Sequence, residues 1–420
     1  MRIPLNFQPV RGTRDWLPES TKRYRALIDL ALETAYAYGF EEVMTPIFEF
    51  SGVFHRLGET SDVVSKETYT FTDRGGEEIT LRPEGTAGVM RAIISDGLTQ
   101  SGPHKFFYHG PMFRYDRPQR GRLRQFHQIG VELIGVAQPL ADIEVIALAN
   151  DLLAALGLEE VVQLHLNTLG DLESREAYRE ALVRYFTPLK NKLSEESQLR
   201  LLRNPLRILD SKDEGDRALM AGVPVFSDFL NQGSRDFFAR VAEGLDQLGI
   251  PYTYDPHLVR GLDYYCHTAF EFVTDALGAQ GTVLAGGRYD GLSKALGGPE
   301  LPGIGWAAGV ERLLELAEAT FEDDPLRLAL IPLGDEAETL ALRLAHALRQ
   351  HGLWTDLGYS GNMGKRMKRA DKLQADFAII LGEDELRLGQ AVVRNLHSGE
   401  QIGVAFDGLV PYFLDLMSDL

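Results

Sequence analysis

Phe113–Glu132, FRYDRPQRGRLRQFHQIGVE, carries five arginines between positions 114 and 124 and then alternates residue types along a strand. In an extended chain every second side chain shares a face. Arg114 and Asp116 therefore share one face of a short strand, and Gln128, Gly130 and Glu132 share one face of a second. His127, Ile129, Val131 and Leu133 form the opposite face of that second strand and suit a core. The Pro118–Gly121 segment between the strands suits an extended hairpin. A hairpin with guanidinium and carboxylate groups on one face and an apolar second face is fitted to hold a small zwitterion beside phosphates. An edge hairpin with a solvated polar face has the same local pattern, so residues elsewhere must decide.

Upstream, Ser20 is placed to cap a helix whose apolar residues Tyr24, Leu27, Ile28, Ala31, Ala35 and Tyr38 keep the 3.6 period, and Gly39 is placed to end it. A short strand over Phe40–Thr45 stops at Pro46. Glu78–Thr86 runs from a strand into a turn and a helix over roughly 87–96, which sets Glu84 and Thr86 at the mouth of an element. Helix capping by Thr86 is the simpler explanation of that residue.

Downstream, a helical pattern runs from about 140 to Gly157, and Val161–Leu166 reads as a strand. Residues 172–245 are charged, helical and interrupted by proline, which predicts a helical insertion. Three clusters follow: His257–Tyr265 (HLVRGLDYY), Ala285–Gly291 (AGGRYDG) and Pro302–Arg312 (PGIGWAAGVER). Paired glycines allow close backbone approach to a ligand, and an arginine near a helix start suits a phosphate. Glu322–Pro325 is a linker, and the remaining residues read as a parallel α/β domain with a basic helix around 362–374.

A chain of 420 residues predicts two or three domains, and 44% apolar content supports packed cores. The single cysteine, Cys266, admits no intrachain disulfide and points to a reducing cytoplasm. The N-terminus lacks the apolar run of a signal peptide, and no stretch reaches the ~18 apolar residues of a membrane span, so no membrane partner is expected. A net charge of −18 argues against a nonspecific nucleic-acid coat. Local patches still suit a specific RNA: the arginine hairpin, and Lys365, Arg366, Lys368, Arg369 and Lys372.

Arg114, Arg260 and Arg312 fall in three separate strand- or glycine-associated clusters. Polyphosphate chemistry uses cations at fixed positions, which arginine supplies more rigidly than lysine. The glycines match neither a P-loop nor a dinucleotide fingerprint, and no hydrolase elbow, zinc-spaced set or HExxH occurs, so no metal-ligating residues are assigned.

These clusters resemble the histidyl-tRNA synthetase family of class II aminoacyl-tRNA synthetases along almost the whole chain. FRYDRPQRGRLRQFHQIGVE is similar to motif 2, GIGWAAGVERL to motif 3, and GFEEVMTPIFEF with Pro46 to the dimer-forming motif 1. LVRGLDYY and AGGRYD resemble the two peptides that single out the histidine enzyme. Cys266-His267 departs from the Thr-Gly of many members.

The resemblance implies an α+β catalytic domain over 1–325, built on an antiparallel sheet with the 172–245 helical insertion, and a C-terminal α/β anticodon-binding domain over 326–420. It implies activation of histidine by ATP with Mg²⁺, transfer to tRNA(His), and a cytoplasmic homodimer. Arg114 would hold the α-phosphate and the substrate carboxylate, Arg260 would stabilise charge at the α-phosphate, and Arg312 would bind the γ-phosphate. Glu84, Thr86 and Gln128 would receive the α-amino end of histidine. Glu132 and Tyr265 would read its imidazole, with Tyr264 and Tyr289 lining the pocket. Arg117, Gln119, Arg120 and Arg122 would close over ATP and the tRNA acceptor end, with Arg122 toward ATP and Arg117 and Gln119 toward the acceptor stem. The alternative is the synthetase-like regulatory subunit of ATP phosphoribosyltransferase, which lacks the C-terminal domain and has eroded phosphate arginines.

Overall fold

A computed structural model of the chain describes residues 8–55, 67–116, 122–209, 211, 213–258, 264–278, 281–317 and 326–418. The chain divides into two units, Met1–Phe321 and Glu322–Leu420. In chain order the strands of the first are β1 (Glu41–Glu42), β2 (Phe48–Phe50), β3 (Tyr69–Thr72), β4 (Glu78–Leu81), β5 (His104–Phe113) and β6 (Gln125–Ile134). They continue with β7 (Gln163–Thr168), β8 (Tyr252–Tyr254), β9 (Cys266–Val273), β10 (Thr282–Arg288) and β11 (Gly303–Gly309). Eight of them form one sheet in the order β1-β5-β6-β11-β10-β9-β7-β8, and β2-β4-β3 form a small second sheet. The five inner pairings of the large sheet are antiparallel, with parallel pairs only at its edges, β1–β5 and β7–β8.

Strand alternation explains both faces of that sheet. Ile129, Val131 and Leu133 of β6 enter the main core with Trp306 of β11. Against them pack Leu27 and Ile28 of the helix Pro18–Ala37 and Val145 and Leu152 of the helix Pro139–Ala155. The Trp306 indole N–H donates to the Val145 carbonyl at 3.0 Å, which ties β11 to that helix. Gln128, Gly130 and Glu132 are thereby left on the face that carries the site.

Three expectations for the first unit change at element level. The first helix starts at Pro18 rather than after Ser20, because proline fits the first turn; Leu17 is the N-cap without a side-chain bond, and the Ser20 hydroxyl donates to the Leu17 carbonyl at 2.9 Å. Its end is as read: Gly39 adopts φ +77° and its amide donates to Tyr36. The strand expected over Phe40–Thr45 shrinks to two residues paired with Phe106 and Phe107.

The third change concerns the insertion. Tyr178, Leu182, Phe186, Leu193, Leu201, Ile208, Phe226 and Leu230 form a core of their own. Val241 and Leu245 of the following helix, Gln232–Leu248, are instead buried in the main core. The autonomous part therefore ends near Leu230, and residues 231–245 belong to the main body.

In the second unit, β12 (Arg327–Pro332), β13 (Trp354–Leu357), β14 (Phe377–Leu381), β15 (Gln390–Asn395) and β16 (Gln401–Ala405) take the order β13-β12-β14-β15-β16. The first three run parallel, and β15 and β16 are antiparallel. The sheet is mixed rather than parallel because the β14–β15 and β15–β16 links are both shorter than the dozen or so residues a parallel crossover takes. The basic patch is also thinner than its sequence: Arg366 is 5% exposed and paired with Glu338, and Arg369 is paired with Asp356. Lys365, Lys368 and Lys372 of the helix Met363–Lys372 are exposed.

Candidate active site

The site face of the first unit opens on a cavity of about 820 Å³ lined by Glu84, Thr86, Arg114, Arg122, Gln128, Tyr264, Tyr265 and Arg312 among others. At its floor Glu132 is 0% exposed. The Thr86 hydroxyl donates to Glu132 Oε1 at 2.6 Å, and the Tyr289 hydroxyl donates to Oε2. Burial pushes the Glu132 carboxyl up to about 8, against the lowering effect of those hydrogen bonds. Gly305 is Glu132's register partner on β11, and a Cβ there would lie 2.0 Å from Glu132 Oε2. The absence of a side chain at Gly305 is thus room for the Glu132 carboxylate.

Three tyrosines wall the floor. The Tyr264 and Tyr265 rings lie 4.8 Å apart, with Tyr289 at 5.9 and 6.4 Å from them. Tyr289, expected only to line the pocket, is a direct partner of Glu132. Tyr108 stands over Gly130, where a Cβ would lie 2.4 Å from its ring. The Tyr108 hydroxyl lies within reach of Thr86 and Glu132, and Gln128 Oε1 is buried without a hydrogen-bond partner among the described residues. Such a group costs ~1–3 kcal/mol unless a ligand engages it. Gln128 is among the residues that line the cavity, which marks it as a site for a polar ligand.

Gly85 is the N-cap of the helix Thr86–Ser95, and the carboxylate of the preceding Glu84 accepts the Thr86 amide at 2.6 Å and the Ala87 amide at 3.1 Å. Capping was expected of Thr86, whose hydroxyl is turned to Glu132 instead. Burial raises the Glu84 carboxyl, while the two amides and Arg114 favour its charge. An anionic carboxylate has further acceptor positions, so capping leaves room for an ammonium.

Arg114 Nε donates to the Pro83 carbonyl at 2.9 Å, and its guanidinium lies 5.1 Å from the Phe126 ring centre. Arg122 pairs with Asp116 at 3.0 Å, and Arg312 donates to the Thr282 carbonyl. Burial and then the charges of Arg122 and Arg114 disfavour the Arg312 cation. Residues separated by up to 198 positions thus converge as mutually repelling cations, an arrangement that a polyanion relieves.

Residues 117–121 and 259–263 lie outside the described set, so Arg117, Gln119, Arg120 and Arg260 are not placed. Arg114 N–H donates to the Arg124 carbonyl at 2.9 Å, which closes the hairpin around the first of these segments.

Two supporting pairs escaped the sequence reading. Arg288 and Asp142 form a fully buried salt bridge, extended by Arg288 bonds to the Val136 carbonyl and Asp290, both at 3.0 Å. Glu311 accepts the His127 amide at 2.9 Å and Nδ1 at 3.0 Å. His127 is therefore not simple core: its ring meets Trp16 and Tyr24 edge-on, each at 5.3 Å. The partners are 146 and 184 residues apart, so no local spacing announced them.

A largely antiparallel sheet with a buried carboxylate and clustered guanidinium groups over one cavity defines the architecture of a class II aminoacyl-tRNA synthetase. Residues 12–313 match the family model "Histidyl-tRNA synthetase", and residues 327–416 match "Anticodon binding domain". A "Histidine--tRNA ligase" of Rhodospirillum rubrum is 62% identical over 402 residues, covering 95% of this chain and 97% of its own. Another from Gluconacetobacter diazotrophicus is 54% identical over 412 residues, covering 98% and 99%. The crystal structure of apo S. aureus histidyl-tRNA synthetase superposes with a TM-score of 0.84 at 39% identity, covering 97% of this chain and 100% of that one. The chain belongs to the histidyl-tRNA synthetase family.

Proposed function

We propose that the chain activates L-histidine with ATP and transfers it to the 3′ end of tRNA(His). The histidine carboxylate attacks the α-phosphorus and pyrophosphate leaves; the terminal ribose hydroxyl then attacks the adenylate carbonyl and AMP leaves. The observation that carries this reading is Glu132, a buried carboxyl set between Thr86 and Tyr289 beneath a cavity lined by Arg114, Arg122 and Arg312.

Imidazole presents two nitrogens on opposite edges, and Glu132 with Tyr265 reads both. A pocket whose own polar groups are left unpaired by other side chains rejects them by ~10⁴ or more. Glu84, Thr86 and Gln128 receive the α-amino end. Arg114 holds the α-phosphate and the substrate carboxylate, Arg260 stabilises the charge that accumulates there, and Arg122 and Arg312 hold the outer phosphates. Positioning and charge stabilisation do the work, with no dedicated general base. Mg²⁺ enters with ATP and is carried by its phosphates. Among the described residues no group of three or more His, Cys, Asp or Glu is placed to hold a metal ion.

Residues 1–325 carry the catalysis, with the part of the insertion that has its own core, up to Leu230, clamping an arm of the tRNA and Arg117 and Gln119 near the acceptor stem. Residues 326–420 meet the anticodon, which the family match over 327–416 supports. Lys365, Lys368 and Lys372 supply the exposed charge of the basic helix. The regulatory alternative is disfavoured by this second unit and by relatives of nearly full length that carry the ligase name.

The working form is a homodimer in the cytoplasm. Met44, Ile47, Phe48, Phe50 and Phe71 are exposed, Met44 at 74%, beside an apolar cavity of about 450 Å³ that includes Met44 and Ile47. Exposed apolar patches of this kind mark association surfaces. No helix among the described residues is long and apolar enough to cross a membrane. Light scattering tests the dimer: a monomer mass at micromolar concentration overturns that part. The enzyme reading is tested by Glu132→Ala, which weakens histidine binding at least tenfold and leaves ATP binding nearly unchanged. Equal losses in both remove Glu132 from the imidazole site.

A further inference from the structure

The insertion touches the amino-acid pocket through its first helix. Arg175 lies one turn into the helix Leu172–Phe186, and its Nη1 donates to the backbone carbonyl of Tyr265 at 2.7 Å. The Tyr265 ring packs tilted against Tyr264 and edge-on to Tyr289, and Tyr289 is a partner of Glu132. A contiguous path therefore runs from the insertion to the buried carboxylate.

The base of that helix is held firmly. Asp171 caps it by accepting the Ser174 amide at 2.8 Å. Asn231, at the exit of the insertion, donates through Nδ2 to Asp171 at 2.7 Å and through its amide to the Ser174 hydroxyl at 3.0 Å. The Asp171 amide donates to the Ser234 hydroxyl at 3.1 Å. Entry and exit are thus bound into one neck.

A second strut reaches the same corner of the pocket. The His267 amide donates to the Gly170 carbonyl at 2.8 Å, and the Leu169 amide donates to the His267 carbonyl at 2.6 Å. His267 adopts φ +44°, a left-handed backbone that side chains rarely take, and its ring stacks on Phe237 at 4.6 Å. The neck, the Tyr264–Tyr265 corner and the helix Gln232–Leu248 are consequently fixed relative to one another.

We propose that Arg175 is a positioning residue for histidine recognition: from within the insertion it fixes the Tyr264–Tyr265 corner and so sets the affinity for the amino acid. This rests on the histidine-activating reading above. A guanidinium donor to a half-buried carbonyl is a charge-assisted bond, and its loss is worth roughly tenfold.

The test is histidine-dependent ATP–pyrophosphate exchange without tRNA, on the full chain. Arg175→Met is expected to raise the KM for histidine about tenfold, with the KM for ATP within about twofold. Arg175→Lys, which keeps a cationic donor, restores most of the difference. Arg179→Ala, on the next turn and paired with Glu176 at the surface, behaves as wild type. If Arg175→Met does not fold, Arg175→Gln is read in the same way. An unchanged histidine KM, an equal rise in both KM values, or no rescue by lysine overturns the proposal. Absent exchange in the wild-type protein overturns the underlying reading instead, so the two failures are distinguishable.

Discussion

Burial holds the Glu132 carboxyl protonated up to about pH 8, whereas in an unfolded chain it ionises near 4.5. The folded state thus binds the extra proton between those values, and stability falls as pH rises across that window before levelling off. Glu132→Gln removes the titration, so its gain in Tm over wild type is predicted to be larger at pH 8.5 than at pH 5. Thermal melts of the ligand-free protein check this, and an equal gain at both pH values contradicts it. Burial raises the Asp142 carboxyl as well, but there the charge and hydrogen bonds of Arg288 oppose the shift. Asp142→Ala leaves a buried guanidinium short of its carboxylate and is predicted to cost ~3–5 kcal/mol in denaturant unfolding. The sequence disclosed these residues unequally. Alternation along one strand put Glu132 with Gln128, but Asp142 lies on a helix of almost uniformly apolar surroundings, and its partner is defined only by tertiary packing.

At the scale of elements, the strands of the site need glycines where the sheet must leave space. Gly305→Ala places a methyl against Glu132 Oε2 and the Val131 carbonyl, at 2.0 and 2.3 Å in the present backbone. Both sit in a close-packed core, so the substitution is predicted to abolish measurable histidine binding, read by calorimetry. The insertion calls for a different cut from the one its composition suggests. Removing 172–245 takes away Val241 and Leu245 from the main core, each 0% exposed, and should prevent folding. Replacing 178–229 by a short Gly/Ser linker should keep exchange activity and raise the KM for tRNA; loss of exchange in a cooperatively folded variant contradicts the clamp. Charge and helical period were enough to recognise the insertion. They could not show that its last helix serves another core, because an amphipathic stripe does not state which surface it meets.

For the whole molecule, the change of texture after Glu322–Pro325 was legible because apolar strand runs alternate with helices there, while the mixed strand direction depended on connection length. Removing residues 327–420 is predicted to preserve adenylate formation and to depress tRNA charging, since the cavity is lined entirely by the first unit. What the sequence could least provide was convergence: Glu132, Tyr289 and Arg312 become neighbours of one cavity only when β6, β10 and β11 lie side by side. The most direct measurement is histidine-dependent ATP–pyrophosphate exchange by the purified full chain. The predicted result is exchange that requires histidine and falls at least tenfold in kcat/KM for histidine in Glu132→Ala. Absence of exchange in the wild-type protein, or exchange equally supported by other amino acids, would contradict it.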